Sequence, residues 1–563
     1  MNDVAWLVHP PRAEAEALAE SLSLPPAIAR VLVNRKILTV EAARAFLYGG
    51  LDKLHDPYLM KGMDRAVARI GKAVAGGEKI LVFGDYDVDG VLSTVMLVKA
   101  LRTLGAQVEY FIPERLTDGY GIKDEHVRIP VERGATLVIS VDCGIKAVAF
   151  TALARERGVD VIVTDHHRPG ETLPEAVAVL DPILADSGYP DPGLAGVGVV
   201  FKLVQALLEK AGKATGLPHY MKLVSIGTVA DVASLTGENR LFVKHGLEGL
   251  RSVANTGLRS LIEACGLGRR KISEGDLGFR IGPRINAAGR MGMTDLAVRL
   301  FFSEDPAESQ ALVQKLDELN AQRQRTEEKI FNEAKDRVEE RGLDKKYKCL
   351  VLGSPDWHRG VIGIVASKLK DRFNRPVVLF AYENGKAHGS GRSISDVPLI
   401  DLLEDCRHLF LSYGGHRLAV GCTLATDRMA EFKATLNPLA EARIPQDSLH
   451  KTIKIDGPLD FAAVDDRFLE TLARLVPFGV GNPKPLFMAD NVEVISEPRV
   501  LQGKHLKFLA RQNGRVFEAL GWDKADWRHI LHRGSRVSLA FSLMTSEYLG
   551  EQKTNLSIED LKI

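Results

Sequence analysis

The chain has 563 residues, of which 45% are hydrophobic and 26% charged; at roughly 100–200 residues per domain it holds three or four domains, and disordered, collagen-like and disulfide-scaffold classes are excluded. Lys and Arg number 74 against 73 Asp and Glu, so a polyanion would have to be met by a local basic patch rather than by global charge. The five cysteines, Cys143, Cys265, Cys349, Cys406 and Cys422, form no C-x-x-C pair and read as reduced intracellular thiols rather than a zinc site.

Residues 1–60 carry short helical patterns such as VEAARAFL from Val40, broken by Pro10, Pro11, Pro25 and Pro26, and read as an accessory segment. The opening MNDVAWLVHPPR lacks a cationic start followed by an apolar core, so no signal peptide is expected. No stretch approaches the ~18 apolar residues of a spanning helix; a cytoplasmic protein with no membrane partner is expected. Over 61–250, the β-branched runs KILVFG, AQVEYFI, TLVISV and VDVIVT alternate with helix-like segments, which predicts a parallel sheet covered on both faces. Residues 251–345 read as a helical linker. Within it Asp305-Pro-Ala-Glu308 predicts a capped start, with proline in the first turn and a capping-box glutamate. Leu312, Leu316, Leu319, Ile330, Ala334 and Val338 then recur at helical spacing. The seam lapses between Leu319 and Ile330, which favours a connecting rod over a coiled coil. A second, smaller α/β unit follows over 346–445, and 446–563 reads as a small antiparallel barrel. Its last part, 499–563, has eleven Lys/Arg and seven Asp/Glu interleaved with Phe508, Phe517, Trp522, Trp527, Phe541 and Tyr548, a composition suited to single-stranded nucleic acid.

The chemistry concentrates in GDYDVDG at 84–90. If the chain stays extended after KILVF, period 2 puts Asp85, Asp87 and Asp89 on one side, where three carboxylates repel unless oxygen-seeking cations such as Mg²⁺ or Mn²⁺ lie between them. TLVISV runs into Asp142, and VDVIVT into Asp165-His166-His167. Three strand ends therefore deliver carboxylate or imidazole to the rim where open α/β sheets bind ligands. Asp231, alone after an apolar segment, reads on spacing as a cap. Carboxylates with imidazoles and no thiolates suit a two-metal hydrolytic centre.

In order and spacing these residues resemble the DHH phosphoesterase superfamily. FIPERLTDGYG at 111–121, FRIGPRINAAGRM at 279–291, WHRGVIGIVASKL at 357–369, GSGRS at 389–393 and GGH at 414–416 are similar to its RecJ branch, the single-strand-specific 5′→3′ exonucleases, over nearly the whole chain. The resemblance implies an α/β fold. A parallel-sheet DHH catalytic domain (61–250) would be joined by a long helix to a smaller α/β DHHA1 domain (346–445), followed by an OB-fold barrel (446–563). It implies two Mn²⁺ or Mg²⁺ ions held by Asp85, Asp87, Asp89, Asp142, His166 and Asp231, with Asp142 bridging. Asp85 is the least typical of these, since many relatives carry a histidine nearby. His167 would steer the phosphate or donate a proton. Ser390, Arg392 and His416, with Arg115 and Arg290, would grip a 5′ phosphate, the GSGR and GGH strings acting as loops that also offer backbone N–H groups. The implied partners are single-stranded DNA, a RecQ-type helicase and a single-strand-binding protein, and the implied state is a monomer. The alternatives are a DHH phosphoesterase acting on short oligonucleotides or cyclic dinucleotides, and a non-catalytic DHH-like DNA-binding scaffold. The first would need only the two α/β units, and the second would show eroded acids.

Overall fold

The computed structural model describes residues 4–115, 118–119, 121–548 and 551–563, with side chains at all of these except 546–548 and 551–552. Leu116, Thr117 and Tyr120 of FIPERLTDGYG and the Tyr548 side chain lie outside the described residues. The chain divides into two compact units. One comprises His55–Ala233 and His245–Lys451; the other comprises Met1–Leu54, Ser234–Lys244 and Thr452–Ile563.

In the first unit, strands β1 (Lys79–Phe83), β2 (Gln107–Phe111), β3 (Leu137–Val141), β4 (Asp160–Thr164) and β5 (Ala178–Leu180) form a five-stranded sheet in the order β2-β1-β3-β4-β5. Every pairing is parallel. β3 is buried throughout, as continuous apolar runs demand when both faces are covered. Helix α1 (Val88–Thr103) follows β1 with 13 of its 16 residues buried, so it is a core helix rather than an amphipathic one. Because β2 lies on one side of β1 and β3 on the other, the strand order reverses at β1. That reversal opens a crevice beyond the carboxyl ends of β1 and β3, where Asp85 and Asp142 begin their loops. Helices α2 (Gly196–Lys210) and α3 (Leu217–Ala230) pack on α1, and α4 (Gly282–Arg290) follows a π-turn over Leu277–Ile281.

Helix α5 spans Pro306–Glu340, 35 residues, with the Asp305 carboxylate accepting from Ala307 and Glu308 N–H. The capping proline and aspartate are as expected, but Glu308 accepts from Ser303 Oγ at 2.7 Å and pairs with Arg299. The lapse in the apolar seam is filled by buried Asn320, Arg323 and Glu327. Arg323 binds Asn320 Oδ1 at 2.7 Å and pairs with Glu327, which also meets Lys368 at 2.5 Å. Polar side chains thus satisfy one another where leucines are missing.

Beyond α5 come β6 (Leu350–Ser354), α6 (Ile362–Phe373), β7 (Val377–Glu383), β8 (Lys386–Arg392), β9 (Phe410–His416) and β10 (Ala419–Ala425). Their sheet order is β9-β10-β8-β7-β6, with β6 and β7 parallel and the rest antiparallel. GSGR and GGH are therefore strand segments, not loops. The GSGR backbone is committed to the ladder on both sides, Ser390 pairing with Leu379 and Gly421, whereas GGH lies on the edge strand and pairs only with β10. Gly389 and Gly391 are small for packing: a Cβ at Gly389 would lie 2.5 Å from Cys422 Sγ and Phe380 Cε1, and one at Gly391 would lie 2.6 Å from Val420 Cγ2.

In the second unit, β11 (Phe487–Val494), β12 (His505–Gln512), β13 (Arg515–Gly521), β14 (Arg536–Tyr548) and β15 (Glu551–Lys562) close on themselves in the order β11-β14-β15-β13-β12, the last returning to β11 through Glu493–Arg511. Closure removes the sheet edges, as in an OB-fold barrel. Ile28, Val31 and Leu32 from the N-terminal helices share one hydrophobic core with Phe487, Phe508 and Phe541 of the barrel. Arg240 donates to the carbonyls of Leu475 and Arg474 at 2.8 and 2.7 Å. Phe508, Trp527 and Phe541 are core residues, while Trp522 is 48% exposed.

Candidate active site

GDYDVDG does not remain extended. The chain turns after Gly84; Asp87 becomes the N-cap of α1, accepting from Gly90 N–H at 3.1 Å, and Asp89 lies in the first helical turn. The three carboxylates still converge, because a tight turn into a helix brings them together without strand periodicity. The turn requires Gly90, where a Cβ would stand 2.6 Å from Asp85 O.

The other acids arrive from other elements. Asp142 follows β3 with φ of +58°, a left-handed conformation uncommon outside glycine. Asp231 caps the carboxyl end of α3, the position expected of a cap, and also faces the cluster. Donor atoms of Asp85, Asp87 and Asp142 lie within 4.8 Å of one another; so do those of Asp89, His166 and Asp231, and those of Asp142, His166 and His167. His166 Nε2 stands 3.1 Å from Asp142 Oδ1 and 3.9 Å from Asp89 Oδ2.

At 3.1 Å the His166–Asp142 pair is close, yet neither atom has a hydrogen-bond partner, and Asp85 Oδ1 is buried without one too. An orphaned buried polar atom costs about 1–3 kcal/mol, so three in one acidic cluster, with Asp142 grouped with each of the other two, are misfits unless cations lie among them. The electrostatics agree. Burial drives the carboxyls of Asp85, Asp142 and Asp231 well above the ordinary carboxylate range, and neighbouring aspartates push further in the same direction. Burial raises Asp89 to about 6 against the opposing pull of His166. Burial depresses the His166 imidazole, but Asp231 and Asp89 outweigh it and the net shift is upward. This donor set, oxygen-rich with one imidazole, suits Mn²⁺ or Mg²⁺.

The supporting contacts are specific. Asp89 accepts from Gly196 and Val197 N–H at 2.8 and 2.7 Å, held by the amino end of α2. Asp165 faces away from the cluster: it accepts from the backbone N–H of His166, His167 and Ile145, and its Oδ1 stands 2.7 Å from His167 Nδ1. Burial would raise Asp165, but the His167 hydrogen bond prevails and lowers it.

Beside the acids is a cleft of about 140 Å³ lined by Asp87, Asp89, Arg115, Asp231, Asn286 and Arg290 among others. Arg115 lies over the Tyr86 ring at 5.0 Å, and Arg290 donates to Gly360 O at 3.0 Å. Burial together with Arg115, Arg323 and Arg392 lowers Arg290 to about 9. Burial and then Arg115 lower Arg392. Arg290 donates to Gly360 O and Arg392 to Gly391 O, and no carboxylate pairs with Arg115, Arg290 or Arg392 among the described residues; guanidinium groups so placed suit an anion. Ser390 and Arg392, two apart on β8, share a face. It stands over the first turn of α6, where a Cβ on Gly363 would meet Ser390 Oγ at 2.9 Å and Arg392 Nη2 at 3.3 Å. A helix amino terminus and a guanidinium both favour negative charge. His416 ends β9 opposite Ala419; partial burial, followed by the charges of His167, Lys146 and Arg168, lowers it.

All twelve residues expected from sequence are in the first unit: the aspartates and histidines share the acidic cluster, Arg115 and Arg290 line the cleft, Ser390 and Arg392 stand over the first turn of α6, and His416 lies on the edge strand β9. Sequence reasoning missed Asn286, Arg323 and the amino end of α6; WHRGVIGIVASKL held the last signal, since its glycines precede a helical run.

The class of protein follows from this combination: a doubly wound domain with acids at its switch point, followed by a mixed α/β domain carrying a basic slot, is a phosphoesterase of the DHH type. Residues 79–228 match the model of the DHH family, N-terminal domain, residues 344–442 that of the DHHA1 domain, and residues 455–560 that of the RecJ OB domain. The chain is 38% identical to the single-stranded-DNA-specific exonuclease RecJ of Bacillus subtilis, over all of this chain and 71% of that protein. It is 36% identical to that of Dickeya dadantii over the full length of both. The crystal structure of Thermus thermophilus RecJ in complex with Mn²⁺ superposes with a TM-score of 0.85 at 34% identity, covering 100% of this chain and 80% of that one; the Mg²⁺ complex gives 0.78, at 33% identity over 100% and 78% of the two chains. The chain belongs to the RecJ family.

Proposed function

We propose that the chain is a metal-dependent 5′→3′ exonuclease specific for single-stranded DNA, releasing mononucleotides in DNA repair and recombination. The observation that supports it best is the set of orphaned donors on Asp85, Asp142 and His166 beside three arginines without carboxylates. Asp85, Asp87 and Asp142 would hold one divalent cation, and Asp89, His166 and Asp231 the other, with Asp142 shared. When bound, Mn²⁺ or Mg²⁺ activates water and neutralises charge on the phosphoryl oxygens. Asp165 keeps the His167 proton on Nδ1, leaving Nε2 as the basic nitrogen to receive and return a proton near the scissile phosphate. Ser390, Arg392 and the amino end of α6, with Arg115, Arg290 and His416, hold the 5′ terminal phosphate, which sets the distance from chain end to cut. The closed basic barrel favours a polymer over a dinucleotide. Family membership supports a monomer working with a RecQ-type helicase and a single-strand-binding protein. No helix among the described residues is long and apolar enough to cross a membrane, which agrees with a cytoplasmic location. Domain limits of 61–250, 251–345, 346–445 and 446–563, after an accessory 1–60, complete the reading.

The test is a product assay on end-labelled single and double strands with and without Mn²⁺. Mononucleotides from single strands are expected, with no turnover in Asp142→Ala while that variant still binds single strands. Turnover retained by Asp142→Ala in Mn²⁺ would overturn the site.

A further inference from the structure

Helix α4 lines the cleft with two of its side chains. Arg290 at its carboxyl end reaches the basic slot, and Asn286, one turn earlier, lines the cleft beside Asp231. Seven residues before Asn286 stands Phe279, 87% exposed and the most exposed large apolar side chain in the protein's described residues. At 1.5 Å per residue Phe279 is about 10 Å beyond Asn286 along the axis, the length of roughly three stacked nucleotides.

Its setting is built rather than incidental. Phe279 occupies the π-turn Leu277–Ile281, in which Gly282 N–H bonds to Leu277 O; π-turns within helices concentrate at functional sites. The turn lies against α3 just before Asp231: a Cβ on Gly278 would be 3.6 Å from Val229 Cγ1, and one on Gly282 would be 3.3 Å from Ala230 Cβ. On the Asp231 side, Val232 is 65% exposed with φ of +62°, a strained conformation for a β-branched residue. Two apolar side chains are therefore held out to solvent on the two segments that flank the acidic end of the cleft, while the neighbouring Arg280 is tied to Asp276 and the Cys265 carbonyl.

We infer that Phe279 is a stacking platform for a base of the outgoing single strand, 3′ of the scissile phosphate. The inference rests on the exonuclease reading. A strand whose 5′ end is held at Arg290 and Arg392, and whose scissile phosphate lies by Asp231 and Asn286, continues along α4 toward Phe279. An exposed aromatic face is the platform that single-strand sites use, and it accepts any base.

The experiment compares wild type, Phe279→Ala and Phe279→Trp on a long 5′-phosphorylated oligothymidylate and on the 5′-phosphorylated dinucleotide. Phe279→Ala is expected to raise KM on the long strand about tenfold, with the dinucleotide unaffected and Phe279→Trp close to wild type. A single abasic nucleotide, moved stepwise from the 5′ end, should reproduce the loss at one position in wild type and add nothing in Phe279→Ala. Wild-type KM on the long strand for Phe279→Ala, or equal losses on both substrates, would overturn the stacking role. Failure of wild type itself to degrade the long strand from its 5′ end would instead refute the exonuclease reading.

Discussion

Gly196→Ala tests whether Asp142 is held where the geometry puts it. Gly196 opens α2 and its N–H bonds to Asp89 Oδ2 at 2.8 Å. A Cβ there would lie 2.7 Å from Asp142 Oδ1 and 3.0 Å from its Cγ, against an ordinary contact limit of 3.4 Å, so the carboxylate or the helix must give by about 0.7 Å. Alanine is otherwise the better helix residue by about 1 kcal/mol, which offsets much of the ~1–3 kcal/mol of overpacking. The fold should therefore survive with Tm changed by only a few degrees. Displacement on this scale at a catalytic group costs up to about 10²-fold, so kcat on a 5′-phosphorylated single strand should fall roughly ten- to a hundredfold, with Mn²⁺ affinity by calorimetric titration falling in parallel. Gly71→Ala is the control, since a Cβ at Gly71 meets nothing within 4 Å; it should leave turnover intact. Unchanged metal affinity and unchanged kcat in Gly196→Ala would refute the placement of Asp142 in the metal set.

Stability should depend on pH in opposite senses with and without metal. Asp89 titrates at about 6 when folded, against an ordinary value of 3.8, so the folded chain keeps a proton that the unfolded chain releases, and this group's contribution declines as pH rises through that window. Divalent cations need the ionised form. Added Mn²⁺, worth about 2.7 kcal/mol per site at a hundredfold excess over Kd, should raise Tm more at pH 8 than at pH 5; an equal gain at both would argue against binding by these carboxylates. Arg392→Ala should chiefly weaken use of 5′-phosphorylated ends, read as kcat/KM against a 5′-hydroxyl strand, and equal losses on both would remove it from the end pocket. Deleting the barrel from about residue 450 would strip Ile28, Val31 and Leu32 of their core partners, so aggregation is expected of that truncation; Trp522→Ala, at an exposed position, is the cleaner probe and should raise KM on long strands more than on dinucleotides.

Strand ends were the most legible part of the site. The runs before Asp142 and Asp165-His166-His167 could hardly be anything but buried parallel strands, and the sheet delivers their last residues to one rim whatever the intervening helices do. GDYDVDG was legible in outcome and not in geometry: Asp-x-Asp on paper is equally compatible with an extended edge and with an N-cap, and the tie is broken only by Gly90, whose missing Cβ lets the chain fold back over Asp85. The same ambiguity misdirected GSGR. Glycines that read as a phosphate-cradling loop are there because Phe380, Cys422 and Val420 occupy the space above the strand, and the groups that stand over the first turn of α6 are the side chains of Ser390 and Arg392 instead of the backbone.

What stayed hidden was whatever depends on contacts between distant segments. Asp231 reads as a cap because it is one; that it also faces Asp89 and His166 depends on α3 packing against α1, which no local pattern records. Arg323 and Glu327 look like solvent-facing residues in a weak stretch of a long helix, yet they are buried because α6 supplies Lys368 against them. The charge of Arg323 then bears on Arg290. A lapse in hydrophobic periodicity on a connecting helix can therefore mark the place where the rod passes a charged site: a leucine there would fill the seam, and it would also remove a cation from the neighbourhood of Arg290.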